Sequence, residues 1–510
     1  MNISGTMSIK ETGAFRRAQL SPNLKTAAAL LIALFSILCI APVLDAAPGE
    51  PVKQGQTKTE PVKDAGDEKQ KKSGGHGGKM PAYWSVIPFA LILLGVAVLP
   101  IVAGHWWHNN WNKLLVSLVL GIPTSIYLIY LGRTHDLVHQ LVLDYIPFIA
   151  LLGALFYISG GIVLRGDIRA TPANNVIFLA IGSALASFIG TTGASMVLIR
   201  PLLRTNSERK HVVHTVIFFI FCVSNIGGLL TPLGDPPLFL GYLKGVPFTW
   251  TFQLFPQWAL TLGILLTMYF IWDTIAYRKE EVRDIQRDET EIQPLVIRGH
   301  LNFLWLLGVI LVVAFVNEQY EPFKTLIQKN DYFKLMQVPC LLALVGLSAY
   351  FTPKRYREEN NFNLHPIEEV AFLFVGIFMT MIPALILLKA EGAALGIRTP
   401  VQYFVATGVF SSFLDNAPTY LVFLALAEGM LPAGQQTVHQ VVAQLPLILT
   451  GISLGAVFMG ANTYIGNAPN FMVKAIAEER GVPMPSFGMY LVYSVIILGP
   501  VFALVAWLFL

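Results

Sequence analysis

Charge is scarce in this sequence: 13% of its 510 residues are Asp, Glu, Lys or Arg, against 54% hydrophobic, and the mean hydropathy is +0.60. That balance excludes a string of soluble domains and points to a polytopic membrane protein. No surplus of one sign is present either. The 35 Lys and Arg face 31 Asp and Glu for a net charge of +4, so there is no nucleic-acid footprint, and the basic residues read as topology signals. Cysteine is nearly missing: Cys39, Cys222 and Cys340 lie far apart, each in an apolar run, with no CxxC. This excludes a disulfide framework and a zinc site. The pairs His105/His108, His135/His139 and His211/His214 have helical spacing without an HExxH pattern. With Trp106, Trp107 and Trp111 nearby, they read as membrane-boundary residues.

What is there is a succession of apolar runs. At the N-terminus Arg16, Arg17 and Lys25 precede an apolar stretch, 27–43, closed by small residues around Ala46 and Ala47. This order predicts a signal peptide over 1–46, the alternative being an uncleaved hydrophobic segment. Residues 47–80 alternate Lys with Asp and Glu and end in a Gly-rich tract, which predicts a disordered polar linker. Further on, runs long enough to span a bilayer, about 20 residues each, fall at 84–103, 113–131, 145–164, 212–243, 250–277, 300–317, 334–351, 367–388, 441–477 and 486–509. Two more stretches, 174–199 and 402–427, are broken in the middle and read as re-entrant hairpins. With 47–80 outside, the basic clusters Arg165/Arg169, Arg200/Arg204/Arg209/Lys210, Arg278/Lys279/Arg283/Arg287/Arg298 and Lys354/Arg355/Arg357 all face the cytoplasm, the orientation the positive-inside rule selects.

The chain also repeats itself. Ser187-Phe-Ile-Gly190-Thr191-Thr192-Gly193 aligns with Ser412-Phe-Leu-Asp415-Asn416-Ala-Pro418, an offset of 225 (187 to 412). Thr231-Pro-Leu-Gly234-Asp235-Pro-Pro237 aligns with Thr463-Tyr-Ile-Gly466-Asn467-Ala-Pro469, an offset of 232 (231 to 463). Each half reads as three spans, a hairpin, a broken span and a final span. Five spans precede the second copy, so it enters upside down. The expected architecture is therefore an all-α inverted-topology repeat of about ten spanning helices, two re-entrant hairpins and two broken helices, the plan of secondary transporters. Its parts are a first repeat at 81–278, a cytoplasmic linker at 279–299 and a second repeat at 300–510.

Physics locates the site. Irregular backbone at membrane depth survives only where protein or a water-filled cavity supplies hydrogen-bond partners. The four interruptions, two hairpin tips and two Gly/Pro/Asn-rich helix breaks, would leave helix ends whose carbonyls suit a small cation and whose N–H groups suit an anion. Thr191, Thr192, Ser224, Asn225, Thr231, Asn416, Thr419, Asn462, Thr463 and Asn467 supply hydroxyls and amides for an oxygen-rich pocket fit for Na⁺. Only Asp235 and Asp415 place carboxylates deep in apolar sequence at these breaks, at a cost of roughly 2.5–3.5 kcal/mol or more when ionised. Desolvation favours the protonated form of a carboxylic acid and an adjacent cation the ionised form, so such a group can exchange H⁺ for Na⁺. A plain helix cap explains Asp235 cheaply, since it precedes a helix start; the exchange role falls more firmly on Asp415, at a hairpin tip. Glu368 and Glu369 open a span and suit its N-terminus rather than a substrate.

The stretches SNIGG…LGDPP at Ser224–Pro237, FLDNAPTYL at Phe413–Leu421 and GANTYIGNAPN at Gly460–Asn470 resemble the ion transporter superfamily, and most of all its NhaD-type sodium/proton antiporters, with arsenite permeases and citrate carriers as relatives. The resemblance covers roughly 84–509. It implies two pseudo-symmetric ion sites built from hairpin tips and helix breaks, an elevator-like motion against a scaffold, Na⁺ or Li⁺ and H⁺ as partners with room for a small anion, no resident cofactor, a homodimer, and residence in a bacterial inner membrane. Two departures stand out: Gly190-Thr-Thr-Gly193 occupies the first tip where an Asp-Asn tip is expected, and the Ser-Asn-Thr tip of dicarboxylate carriers is missing from both hairpins. The alternative cargo is a carboxylate or arsenite-like oxyanion. As a rival class, an intramembrane aspartyl protease would use two close carboxylates, but position 232 is Pro where a Gly-x-Gly-Asp motif needs Gly. The chain thus reads as a transporter and not an enzyme, and occlusion by four mutually closing breaks suits it better than channel conduction.

Overall fold

In the computed structural model the described residues are 78–510, apart from Asp167 and 284–293. The expected signal segment, residues 47–77 of the linker and the middle of the 279–299 linker lie outside them. The described residues are all-α apart from one two-stranded antiparallel ladder. Among the described residues eight helices are long and apolar enough to cross a membrane, or ten if each of two bent pairs is one span. That count includes Pro172–Ile189, the first arm of a hairpin, and leaves out the shorter apolar helix Leu301–Phe315.

The order of elements is the same in each half. In the first, Ile87–Val102, Asn110–Tyr130 and Thr134–Ser159 precede a hairpin of Pro172–Ile189 and Thr191–Thr205; a broken helix, Val213–Cys222 and Pro236–Leu243, and Phe255–Tyr277 follow. In the second, Leu301–Phe315, Gln337–Phe351 and a bent helix, His365–Thr380 with Ile382–Glu391, precede a hairpin of Pro400–Phe413 and Asn416–Gly429. A second broken helix, Pro446–Met459 and Ala468–Glu479, leads to Phe487–Phe509. Burial places the breaks at the centre: 89% of 213–230 is buried, against 17–50% for the other long spans.

Several boundaries differ from the apolar scan. The third span begins at Thr134, through a π-helical turn at Gln140–Tyr145, because Asp136, His139 and Asp144 interrupted the hydropathy without ending the helix. The helix expected at 367–388 bends by 45° around Met381, ahead of Pro383. At the start of the run expected over 441–477, Val438–Gln444 is a separate helix set at 108° to Pro446–Asn462, where Pro446 removes an N–H donor and restarts the helix. Gly78 and Lys79, at the end of the expected linker, are tied down: Lys79 N–H donates to Leu131 O at 3.0 Å, and Arg133 donates to both their carbonyls. The ladder, unforeseen in the sequence, pairs Val163–Arg165 with Val296–Arg298.

That ladder joins two of the arginine-bearing segments on one end of the bundle. On the same end Glu359 accepts from Arg165 Nε at 2.9 Å, and Asn360 Nδ2 donates to Gly160 O at 3.0 Å. Arg209 and His214 converge on buried Asp273, at 2.5 and 2.8 Å. Lys244–Asp144 at 2.6 Å and Lys389–Glu428 at 2.8 Å pair segments assigned to the opposite end. Sidedness is testable at two exposed positions. A cysteine at Gln435 is expected to react with an impermeant thiol reagent in cells with a permeabilised outer membrane, and one at Glu358 only after lysis; the reverse pattern would overturn the orientation.

Candidate functional site

Each break is made by residues that refuse a helix. After Cys222 the chain passes through a short 3₁₀ turn, Ile226–Leu230, and extends at Thr231 (φ −136°, ψ 157°) before Pro236 and Pro237 restart a helix. The second break copies it, with a 3₁₀ turn at Gly460–Asn462, an extended Thr463 (φ −136°, ψ 165°) and Pro469. A Cβ on Gly234 would lie 2.1 Å from Gly228 O, and one on Gly466 2.6 Å from Gly460 O, so in both copies two backbone strands touch where a side chain cannot fit.

Each hairpin is stitched to the break of its own half. Thr191 N–H donates to Gly234 O at 2.8 Å, Ser187 Oγ donates to Gly227 O, and Thr231 Oγ1 donates to Ser187 O. In the second half Ser412 Oγ donates to Met459 O at 3.0 Å, and Thr463 Oγ1 donates to Ser412 O. The hydroxyls of Thr231 and Thr463 also accept from Leu233 N–H at 3.1 Å and Ile465 N–H at 3.3 Å. These two threonines, both ligand candidates, tie the breaks together through their hydroxyls. Thr419 donates to Asp415 O at 2.9 Å, one helical turn back.

Across the two halves the breaks meet in a buried cluster centred on Asp235. Its carboxylate accepts from Thr191 Oγ1 at 3.0 Å, Asn416 Nδ2 at 2.7 Å and Asn467 Nδ2 at 3.0 Å. These fill three of its roughly four acceptor positions. All three donors are neutral, and Asp235 is 1% exposed. It makes no side-chain cap to its own helix; the next two residues are prolines, which have no N–H to give. Asn467 also donates to Ser224 O at 3.1 Å and Asn225 Oδ1 at 3.2 Å, and Asn225 Nδ2 donates to Asn470 Oδ1 at 2.7 Å.

Of the sequence candidates the structure thus brings together Thr191, Ser224, Asn225, Asp235, Asn416 and Asn467. Asp415 is the N-cap of Asn416–Gly429, accepting from Ala417 N–H at 3.0 Å. Thr192 is half-buried and is not in the cluster. Asn462, also half-buried, donates instead to Ser412 Oγ at 2.9 Å. Residues not singled out in the sequence join the cluster. Ser195 meets Ser224 Oγ at 2.8 Å, and Asn470 donates to Gly460 O and Thr463 O, both at 2.9 Å. A helical-face argument finds both, since Ser195 lies four residues after Thr191 and Asn470 three after Asn467.

The difference between Asn467 and Asn462 makes a prediction. Asn467→Ala removes a donor to Asp235 and leaves buried acceptors unpaired, a loss of about 1–3 kcal/mol, so apparent cation affinity is expected to fall by roughly 5- to 140-fold. Asn462→Ala is expected to change it little at equal protein level; equal effects in cation-dependent transport would contradict the assignment.

Paired broken helices and hairpins around a buried carboxylate define a membrane transporter rather than a soluble or single-span protein. Residues 78–510 match the family described as "Putative citrate transport". The chain belongs to that family, within the ion transporter and citrate carrier group. It is also 25% identical over 342 residues to proteins named "Uncharacterized transporter" in Mycobacterium bovis and Mycobacterium tuberculosis, covering 62% of this chain and 72% of each relative. A "46 kDa membrane protein" of Mycobacterium leprae is 25% identical over 328 residues, covering 61% of this chain and 70% of that protein.

Proposed function

We propose that this protein is an NhaD-type secondary transporter of a bacterial inner membrane that exchanges Na⁺ or Li⁺ for H⁺, with Asp235 as the group that holds one or the other. The observation that carries this reading is a carboxylate, 1% exposed, whose donors Thr191, Asn416 and Asn467 are all neutral. An ionised carboxylate in that setting lacks a counter-charge, which a bound proton or a small cation supplies. Oxygens of Ser224 and Asn225 lie alongside, the hard ligands that suit such a cation. No resident cofactor is needed, because the cation is cargo.

A second reading, cation-coupled carboxylate transport, draws on the description of the family. Hairpin tips carrying Thr191 and Asn416 at helix starts have N–H groups that attract an anion, although Asp235 beside them repels one. Proteoliposomes containing a pH dye separate the two. Na⁺ or Li⁺ alone is expected to drive proton movement; a response that requires citrate, succinate or arsenite would replace antiport by symport.

A further inference from the structure

We propose, on the exchange reading above, that Asn470 is a positioning residue: without touching Asp235 it fixes the hydrogen-bond direction of the cluster, and with it the pH at which Asp235 gives up its proton. Asn225 and Asn470 are fully buried. Asn470 Nδ2 donates to Gly460 O and Thr463 O, both at 2.9 Å, across the 3₁₀ turn of the second break. A backbone carbonyl only accepts, so the amide of Asn470 has one orientation, with Oδ1 turned to the first break. There Oδ1 accepts from Asn225 Nδ2 at 2.7 Å, and the second proton of that nitrogen goes to Ile220 O at 2.8 Å. The space is fitted to the Asn225 side chain: a Cβ on Gly460 would lie 3.2 Å from Asn225 Oδ1.

That direction propagates to the carboxylate. With both protons of Asn225 Nδ2 committed, Oδ1 is the end that faces Asn467, and Asn467 answers it with Nδ2 at 3.2 Å. The same nitrogen lies 3.0 Å from Asp235 Oδ1. Asp235 therefore meets an N–H rather than an amide oxygen. A donor favours the ionised carboxylate, whereas an acceptor in that place would favour the protonated acid. Amides linked in one direction also polarise one another, which strengthens the last bond of the chain. Asn467 and Asn470 lie three residues apart at the start of one helix, on one face, so a single helix grips both ends of the Asn225 amide. The other groups against Asp235 stand outside this chain. Thr191 from the first hairpin and Asn416 from the second are neutral, and Asp415, at the tip of the second hairpin, is the ionisable group whose charge acts on Asp235. That like charge favours the protonated form and is left in place by the variants below.

The test is equilibrium binding of radiolabelled Na⁺ to the purified full-length protein across pH. In the wild type, affinity is expected to rise with pH and level off once Asp235 is ionised. Asn470→Ala weakens the donor to the carboxylate, so the proton is held to higher pH. The midpoint of the rise is expected to move up by roughly half to one pH unit, the worth of one hydrogen bond, with the high-pH plateau within about twofold of wild type. A role confined to holding the break would lower the plateau or the thermal midpoint and leave the pH midpoint in place. Asn225→Ala cuts the same chain and is expected to give the same upward shift, with no further shift when Asn470→Ala is added. If Asn470→Ala does not fold, Asn470→Ser, whose side chain is too short to span from the second break to Asn225, takes its place. An unmoved pH midpoint in either folded variant, or additive shifts in the double variant, would overturn the assignment alone. Wild-type Na⁺ binding that does not vary with pH would overturn the exchange reading with it.

Discussion

Asp235→Asn is expected to abolish Na⁺-driven proton movement while leaving the protein folded, and Asp415→Asn to leave most of it. Asn keeps the volume of Asp and part of its hydrogen bonding, but it neither carries the exchanged proton nor balances a cation. At position 235 nothing else offsets that loss, because the neighbouring donors Thr191, Asn416 and Asn467 are neutral amides and a hydroxyl. At position 415 the carboxylate caps Asn416–Gly429 through Ala417 N–H, and Asn ranks with Asp as an N-cap. Asp415→Ala is expected to cost about 0.5–2 kcal/mol of stability, seen as a lower thermal midpoint that Asn restores. Loss of transport in Asp415→Asn with retention in Asp235→Asn would exchange the two roles.

The second large effect is expected from Gly234→Ala. Its Cβ would sit 2.1 Å from Gly228 O, and Gly234 O is itself the acceptor for Thr191 N–H. The contact is backbone against backbone, so no side chain can move aside. Relief requires shifting the break that positions Asp235, at a cost of about 1–3 kcal/mol or more for overpacking. Little folded protein is expected in a fluorescence-detected size-exclusion assay, whereas Gly263→Ala, where an added Cβ meets nothing within 4 Å, is expected to behave like wild type. A well-folded, active Gly234→Ala protein would show that the close approach is not required.

Much of this architecture was legible in the sequence because its causes are local. Apolar runs, the prolines at 236, 237 and 469, and the doubled Thr-x-x-Gly pattern at 231–234 and 463–466 act within a few residues, and the two breaks have nearly the same dihedral angles. The hydrogen-bond partners of the two aspartates were not legible. A helix start seemed to explain Asp235, yet Pro236 and Pro237 have no N–H to be capped. The donors that do reach it, Asn416 and Asn467, lie 181 and 232 residues away. Thr231, Thr463 and Thr419 lie in the expected segments, and each donates its hydroxyl proton to a backbone carbonyl, a partner the residue type alone did not disclose. The ladder between 163–165 and 296–298 escaped for want of length, three residues in each strand.

The most direct test is to count protons as Na⁺ binds. Solubilised protein in weak buffer with a pH indicator is titrated with NaCl, using choline chloride as control, at a pH where Asp235 is protonated in the ion-free protein. Exchange on one carboxylate predicts acidification that saturates with Na⁺ binding, is absent in Asp235→Asn, and persists in Asp415→Asn. Saturable Na⁺ binding across the pH range with no proton release, or release that survives Asp235→Asn, would contradict it.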